Sequence, residues 1–227
     1  MSEISEPKQG LVVAIDGPAG AGKSTLSSSL ARELDLPYIN TGLMYRSVAA
    51  AALRGGIDRQ DGAALAELAR GLRFSVTDGD PPGLRIEGGA TQEALTSAEV
   101  EEVVSMVARH PEVRSVLRAE QRRLGAGGSV MEGRDIGTVV FPDADVKLFL
   151  RAEPDERVSR RQSERGSRDP ALAEALEQRD LLDARTNPLV PAHDAYPLDT
   201  TGRTRGEVLQ DALRLVARAL GSGGGDA

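Results

Sequence analysis

Residues 11–25 read LVVAIDGPAGAGKST, an apolar run followed by a glycine-rich loop. The apolar run from Leu11 to Ile15 shows no polar alternation, which favours a strand buried on both faces of a parallel sheet. After the loop, Leu26, Leu30 and Leu34 recur at the spacing typical of a helix. A strand, a glycine-rich loop and a helix in this order predict the beginning of an α/β domain.

The loop fits the phosphate-binding pattern G-x-x-x-x-G-K-[ST] at every position. Its glycines let backbone N–H groups converge on phosphate oxygens, and the helix that begins there adds its positive end. We expect Lys23 to reach the β and γ phosphates of ATP and the Ser24 hydroxyl to bind Mg²⁺. The predicted ATP-binding residues are Gly17, Pro18, Ala19, Gly20, Ala21, Gly22, Lys23, Ser24 and Thr25.

Strand and helix patterns alternate along most of the chain. This alternation, with the phosphate-binding loop, predicts a P-loop NTPase fold of the α/β class, in three layers with a central parallel sheet. Residues 61–125 differ, because a short hairpin pattern is followed there by two helical patterns, so we predict an insertion. The predicted core covers residues 10–60 and 126–220, and flexible tails cover 1–9 and 221–227.

Composition excludes several classes of function. The net charge of −7 argues against binding to nucleic acid, since that requires a clustered basic surface. The chain has no cysteine, which excludes disulfides and thiolate metal sites. It shows neither an apolar run of the ~20 residues that span a membrane nor an apolar signal segment, so we expect a cytoplasmic protein without membrane contact.

Two common classes of P-loop protein do not fit the sequence. Switch GTPases carry an N-K-x-D loop and transporter-type ATPases an L-S-G-G-Q-like signature, and the sequence contains neither. Arginine occurs instead at many loop and helix-end positions. A second phosphorylated substrate would require this, because two polyanions repel each other unless cations lie between them.

Four sequence blocks together resemble bacterial cytidylate kinases. They are DGPAGAGKST at 16–25, TGLMYR at 41–46, EGRDIGTVVFPDA at 132–144 and RDLLD at 179–183. Their order and spacing agree over about residues 10–220, and the third block is the most specific. The resemblance implies a monomer that transfers phosphate from ATP to CMP or dCMP with Mg²⁺. It also implies that residues 61–125 form a monophosphate-binding subdomain and that a mobile lid covers about residues 155–170.

The same resemblance assigns roles to individual acceptor-binding positions. Thr41, Arg114 and Asp135 match residues that read the cytosine, where family members usually carry serine at the position of Thr41. An aspartate takes the amino donor of cytosine and an arginine serves its ring acceptors. Arg46 and Arg134 match arginines that bind the acceptor phosphate.

The sugar-binding positions are less specific. The resemblance assigns this role to Ser105, Arg179 and Asp183, and the last two would share one face of a predicted helix. Without the resemblance, Arg179 and Asp183 would be interpreted as an ordinary surface ion pair. The segment after Asp183 is shorter than the family pattern, so the arginine expected to contact the nucleotide is either a displaced Arg185 or missing.

The arginine-rich segment 155–168 resembles the family's lid. Such a lid brings guanidinium groups over the transferring phosphate and excludes water. We predict this role for Arg157 and Arg161, whereas Arg165 or Arg168 fits a solvated helix.

The predicted catalytic residues are therefore Lys23, Arg134, Arg157 and Arg161. The acceptor phosphate is already anionic near neutral pH, so the reaction needs no general base. Two alternatives stay open at the level of sequence: a kinase of the same fold that acts on another acceptor, and a slowly hydrolysing nucleotide switch.

Overall fold

The computed structural model describes residues 10–88, 91–165, 173–174, 181 and 189–222. The strands are β1 (Val12–Asp16), β2 (Tyr38–Asn40), β3 (Arg73–Val76), β4 (Leu84–Glu87), β5 (Ser129–Gly133), β6 (Val146–Arg151) and β7 (Tyr196–Asp199). The helices are α1 (Lys23–Glu33), α2 (Thr41–Gly55), α3 (Gly62–Gly71), α4 (Gln92–Leu95), α5 (Ala98–Ala108), α6 (Pro111–Gly125), α7 (Pro154–Arg165) and α8 (Arg205–Ser222). A π-helical turn spans Ile136–Val140.

The five-stranded sheet has the strand order β2-β5-β1-β6-β7, and every neighbouring pair is parallel. Asp16, the last residue of β1, pairs with Gly133 of β5 and Phe149 of β6. Because the carboxyl ends of parallel strands meet at one edge, the loops after β1, β2 and β5 lie together there. Pro197 lies in the edge strand β7, where a residue without a backbone N–H is tolerated.

Apolar residues cover both faces of the sheet, which produces the predicted three layers. Val13 and Ile15 of β1 pack on one face with α1 and α8. Ala14, between them, packs on the other face with α2, α3, α5 and α6. Successive side chains of a strand point to opposite faces, so a run without alternation is buried on both sides. The predicted α/β class with a central parallel sheet is confirmed.

Residues 61–125 contain the antiparallel hairpin β3–β4 and helices α3 to α6. Val100, Val103, Val104 and Val107 form an apolar face of α5 and are buried in one cluster with α2. Pro111 begins α6, where its missing N–H costs nothing. The insertion packs against α2 and also contacts the sheet directly, since the backbone N–H of Tyr38 in β2 donates to the carbonyl oxygen of Pro82 at 2.7 Å. Its role as a separate monophosphate-binding subdomain stays a prediction.

Within the described ranges, every helix is too short or too polar to cross a lipid bilayer.

Candidate active site

The loop between β1 and α1 depends on glycine at two close approaches. Gly20 has a φ of 75°, and a Cβ there would lie 2.9 Å from the Cβ of Arg157. A Cβ on Gly17 would lie 2.5 Å from the carbonyl oxygen of Leu150. Larger residues are therefore excluded by space as well as by backbone conformation.

Lys23 begins α1 directly after this loop. Its Nζ donates to the carbonyl oxygens of Gly17 and Pro18, each at 2.8 Å. These bonds hold the ammonium group beside the loop, at the N-terminal end of α1 where the helix dipole is positive. The neighbouring Ser24 is exposed. The strand–loop–helix order thus places a cation, a helix N-terminus and an exposed hydroxyl residue together.

A cleft of about 740 Å³ opens beside this loop. Its lining comes from the loop, α2, α5, α6, α7 and the segment that follows β5. The predicted residues that line it are Ala19, Gly20, Gly22, Lys23, Ser24, Thr25, Thr41, Arg46, Ser105, Arg114, Arg134, Asp135 and Arg161. Gly17, Pro18, Ala21 and Arg157 lie outside its lining. Arg168, Arg179, Asp183 and Arg185 lie outside the described residues.

Thr41 lies at the beginning of α2 and is 4% exposed. Its hydroxyl donates to the carbonyl oxygen of Glu132 at 2.7 Å. Asn40 caps the helix by accepting from the backbone N–H of Leu43 at 3.2 Å. The single hydroxyl proton of Thr41 is thus engaged, so this hydroxyl can act toward a ligand only as an acceptor.

Arg46 projects from α2 and is buried against the insertion. Its Nη1 donates to the carbonyl oxygen of Leu95 at 3.1 Å, and its Nη2 donates to Oε1 of Glu101 at 3.0 Å. A buried charge is tolerated only when it is paired. These contacts fix the guanidinium at the wall of the cleft.

Two arginines contact the phosphate-binding loop from separate elements. Arg134, directly after β5, donates from Nη1 to the carbonyl oxygen of Gly17 at 2.9 Å. Arg157 of α7 donates from Nη1 to the carbonyl oxygen of Ala19 at 3.2 Å. Arg161, one turn further along α7, lines the cleft. Three of the predicted catalytic arginines therefore lie around the loop that carries Lys23.

The chain is similar to known proteins over nearly its whole length. The model of the family described as "Cytidylate kinase" matches residues 13–218. The chain belongs to the cytidylate kinase family. It is 44% identical to a cytidylate kinase of Solibacter usitatus (strain Ellin6076) over 94% of this chain and 95% of the relative. It is 43% identical to a cytidylate kinase of Geobacter sp. (strain M21) over 98% of this chain and 99% of the relative.

Among solved structures, a gluconokinase from Sinorhizobium meliloti 1021 superposes with a TM-score of 0.50 at 15% identity, over 93% of this chain and 94% of that one. Similarity at this identity shows the fold alone. The family membership predicted from the four sequence blocks is confirmed by the family match.

Asp16 ends β1 directly before the phosphate-binding loop, and the sequence interpretation gave it no role of its own. Its Oδ1 accepts from the backbone N–H of Ile136 at 2.9 Å and its Oδ2 from that of Gly137 at 2.8 Å. Burial raises the pKa of its carboxyl to about 6, although both backbone bonds oppose the rise. Asp16 therefore ties the end of β1 to the π-helical turn. A lone carboxylate at the end of an apolar strand was the signal available in the sequence.

Glu132 and Tyr38 form a second missed group, beside Ser24. The Tyr38 hydroxyl donates to Oε1 of Glu132 at 2.5 Å. Burial, and then the charge of Glu132, raise the pKa of Tyr38, while its hydrogen bond to Ser24 opposes the rise. Glu132 is 3% exposed, and its Oε2 is buried without a partner in the described part of the chain. This oxygen is a candidate acceptor for a ligand beside Ser24.

Arg118 is a further residue that the sequence interpretation missed. Its Nη2 donates to Oδ2 of Asp135 at 2.5 Å. Arg118 lies one turn after Arg114 on α6, and such a spacing alone is typical of any helix face. The sequence therefore gave no reason to separate Arg118 from the solvated arginines of the same helix.

Proposed function

We propose that this chain transfers the γ-phosphate of ATP to CMP or dCMP, giving ADP and CDP or dCDP, a step of pyrimidine nucleotide metabolism. One observation carries the proposal: in a member of the cytidylate kinase family, the phosphate-binding loop and the positions matched to cytosine and phosphate binding line the same cleft. An oxygen of the acceptor phosphate attacks the γ-phosphorus, and the bond to the β–γ bridging oxygen breaks. The leaving electron pair stays on ADP.

The loop and Lys23 form the donor side of the site. The γ-phosphate oxygens replace the carbonyls of Gly17 and Pro18 as acceptors for Nζ of Lys23, because bonds between two charged groups are the stronger ones. Backbone N–H groups of the loop and the N-terminus of α1 bind the remaining phosphate oxygens.

The residues around Ser24 fit a magnesium ion. Ser24 would hold it directly, and the unpartnered Oε2 of the buried Glu132 offers a second oxygen nearby, linked through Tyr38. No group of three or more His, Cys, Asp or Glu side chains suited to a metal occurs among the described residues. Mg²⁺ suits such a site, since it keeps several waters and binds substrate phosphates. When bound, it neutralises charge on the β and γ phosphates.

Thr41, Arg114 and Asp135 form the base-reading side. The Thr41 oxygen and the Asp135 carboxylate accept from the amino group of cytosine, and Arg114 donates to the ring acceptors. Uracil carries a carbonyl in place of that amino group, so the same acceptors disfavour it.

Arg46 and Arg134 bind the acceptor phosphate, and Ser105 contacts the sugar. Arg134 also donates to the carbonyl oxygen of Gly17 in the phosphate-binding loop. It therefore lies between the phosphates of ATP and the phosphate of the acceptor. The sugar roles of Arg179 and Asp183, and the role of Arg185, stay predictions from the sequence.

Lys23, Arg134, Arg157 and Arg161 stabilise the charge that develops during transfer. Arg157 and Arg161 belong to the proposed lid, about residues 155–170, which closes over the phosphates and limits ATP hydrolysis. Catalysis is alignment and charge stabilisation, and no side chain acts as a general base.

ADP release from the purified chain, measured with MgATP and each nucleoside monophosphate in turn, tests the proposal. We expect rapid release with CMP and dCMP and slow release with UMP, AMP and GMP. Absence of ATP consumption with every pyrimidine nucleotide would contradict it. Faster release with another monophosphate would favour the alternative, a related kinase with a different acceptor.

We also retain a monomeric state, a cytoplasmic location and the absence of a nucleic-acid partner as predictions. The acidic net charge of −7 supports the last of these.

A further inference from the structure

Arg118, which lies outside the lining of the cleft, forms an ion pair with Asp135. Their side chains are 21% and 14% exposed, and the ion pair engages Oδ2 of Asp135. Asp135 is among the residues that line the cleft, whereas Arg118 is not. The ion pair thus holds one carboxylate oxygen from the protein side while the side chain still faces the cleft.

The backbone of Asp135 is fixed independently of this ion pair. Its carbonyl oxygen accepts from the N–H groups of Val139 at 2.9 Å and Val140 at 3.1 Å, the closing bonds of the π-helical turn. The main chain is therefore held by the turn, and Arg118 contacts the carboxylate itself at Oδ2.

The arrangement is not what structural stabilisation alone would favour. The Nε of Arg118 is buried and has no hydrogen-bond partner in the described part of the chain. A buried donor without a partner lowers stability. The guanidinium is thus placed for its contact with Asp135 rather than for complete hydrogen bonding.

An ionised carboxylate accepts hydrogen bonds and donates none, and an ion pair with an arginine restricts the direction in which it points. A carboxylate restricted in this way accepts from the amino group of cytosine and has no proton to donate to the carbonyl of uracil. Without the neighbour, the carboxylate can rotate away from the cleft.

We propose that Arg118 is a positioning residue that sets the preference for cytosine over uracil, by holding Asp135 as an acceptor that faces the cleft. This inference rests on the proposed function, because it requires Asp135 to read the base.

Three variants test it: Arg118→Met, which keeps the length and removes the charge, Arg118→Lys, which restores the charge, and Arg123→Met as the control. Arg123 lies on the same helix, is 56% exposed and pairs with Glu120. Steady-state kinetics with CMP and with UMP are measured at saturating MgATP. We expect Arg118→Met to lower the CMP-to-UMP ratio of kcat/KM about tenfold, mainly through the KM for CMP. Arg118→Lys recovers part of the ratio, and Arg123→Met leaves it unchanged.

A double-mutant cycle with Asp135→Ala separates the possible outcomes. If Arg118 acts through Asp135, Arg118→Met causes no further change in the Asp135→Ala background. A further loss in that background, or an equal loss for CMP and UMP, would overturn the inference. If Arg118→Met does not fold, Arg118→Lys and its cycle with Asp135→Ala supply the same comparison.

The failure of the proposed base reading would look different. In that case Asp135→Ala alone would leave the CMP-to-UMP ratio unchanged. A lowered ratio in Asp135→Ala together with an unchanged ratio in Arg118→Met would overturn only the role of Arg118.

Discussion

Two charged side chains flank the phosphate-binding loop, and they differ in how local their contacts are. Lys23 bonds to the loop that precedes it, at Gly17 and Pro18. Asp16 bonds instead to Ile136 and Gly137, which lie 120 and 121 residues away in the chain. The role of Lys23 could be assigned from an eight-residue pattern. The contacts of Asp16 could not, because they form only when the sheet brings the end of β1 beside the π-helical turn.

Lys23→Met is expected to lower kcat by about 10²- to 10³-fold, because it removes a fixed charge from the transferring phosphate. The fold should persist, since the side chain is partly exposed and its bonds are to loop carbonyls. Kinetics and thermal unfolding check both statements. Arg32→Met, which removes an exposed charge on the same helix, serves as the control. Near-normal turnover in Lys23→Met would contradict the assignment.

Asp16 makes stability depend on pH in a direction opposite to most carboxylates. Its folded pKa of about 6 lies above the ordinary value of 3.8, so its stabilising contribution is full below pH 3.8 and is lost as the pH rises through about 6. The loss amounts to about 3 kcal/mol. We expect the free energy of unfolding of the wild type, minus that of Asp16→Asn, to fall by this order between pH 4 and pH 7. The prediction is wrong if the free energies of unfolding of the wild type and of Asp16→Asn, both measured with urea, change with pH in the same way.

At the scale of elements, the arginines of α7 make two kinds of contact: some lie at the phosphate-binding loop and the cleft, and one binds the residue that follows β7. Arg157 contacts the loop at Ala19, and Arg161 lines the cleft. Arg160 points instead to the end of β7, where Nη1 donates to Oγ1 of Thr200 at 2.9 Å and Nη2 to its carbonyl oxygen at 2.6 Å. Residues four apart on a helix share a face, so Arg157 and Arg161 can serve the site together.

These different contacts predict that substitutions of Arg161 and Arg160 affect different quantities, kcat for Arg161 and Tm for Arg160. We expect Arg161→Met to lower kcat about tenfold or more with little change in Tm, because it removes charge from the cleft. Arg160→Met should lower Tm by about 2–4 °C, since it leaves two acceptors of Thr200 without their partner. Paired measurements of kcat and Tm distinguish them. Equal effects of both variants on turnover would argue against separate tasks.

At the scale of the whole molecule, the site is assembled from the insertion as well as the core. Arg46 of α2 is held by Leu95 and Glu101, and Ser105 and Arg114 enter the cleft from α5 and α6. A ligand that fills the cleft therefore links elements that are far apart in the chain. Binding to the folded state alone must stabilise all of them together.

CMP is accordingly expected to raise Tm in the wild type, by an amount that corresponds to about 2.7 kcal/mol at a concentration 100 times its Kd. Asp135→Ala should lose most of the effect at the same CMP concentration, because its Kd is higher. The response of this variant to MgATP should stay unchanged, which differential scanning calorimetry can show. Loss of both responses would indicate that Asp135 supports the fold rather than base reading.

The sequence by itself determined the α/β class, the phosphate-binding loop and the family, because these depend on residues close together in the chain. Strand periodicity, a glycine-rich turn and the EGRDIGTVVFPDA block at 132–144 are readable without any packing. Only the tertiary structure decided that Arg118 holds Asp135, that Asp16 anchors the π-helical turn and that Glu132 lies beside Tyr38. Periodicity shows that a face is buried but not which element covers it, so partners distant in the chain become known only when the sheet and helices are assembled.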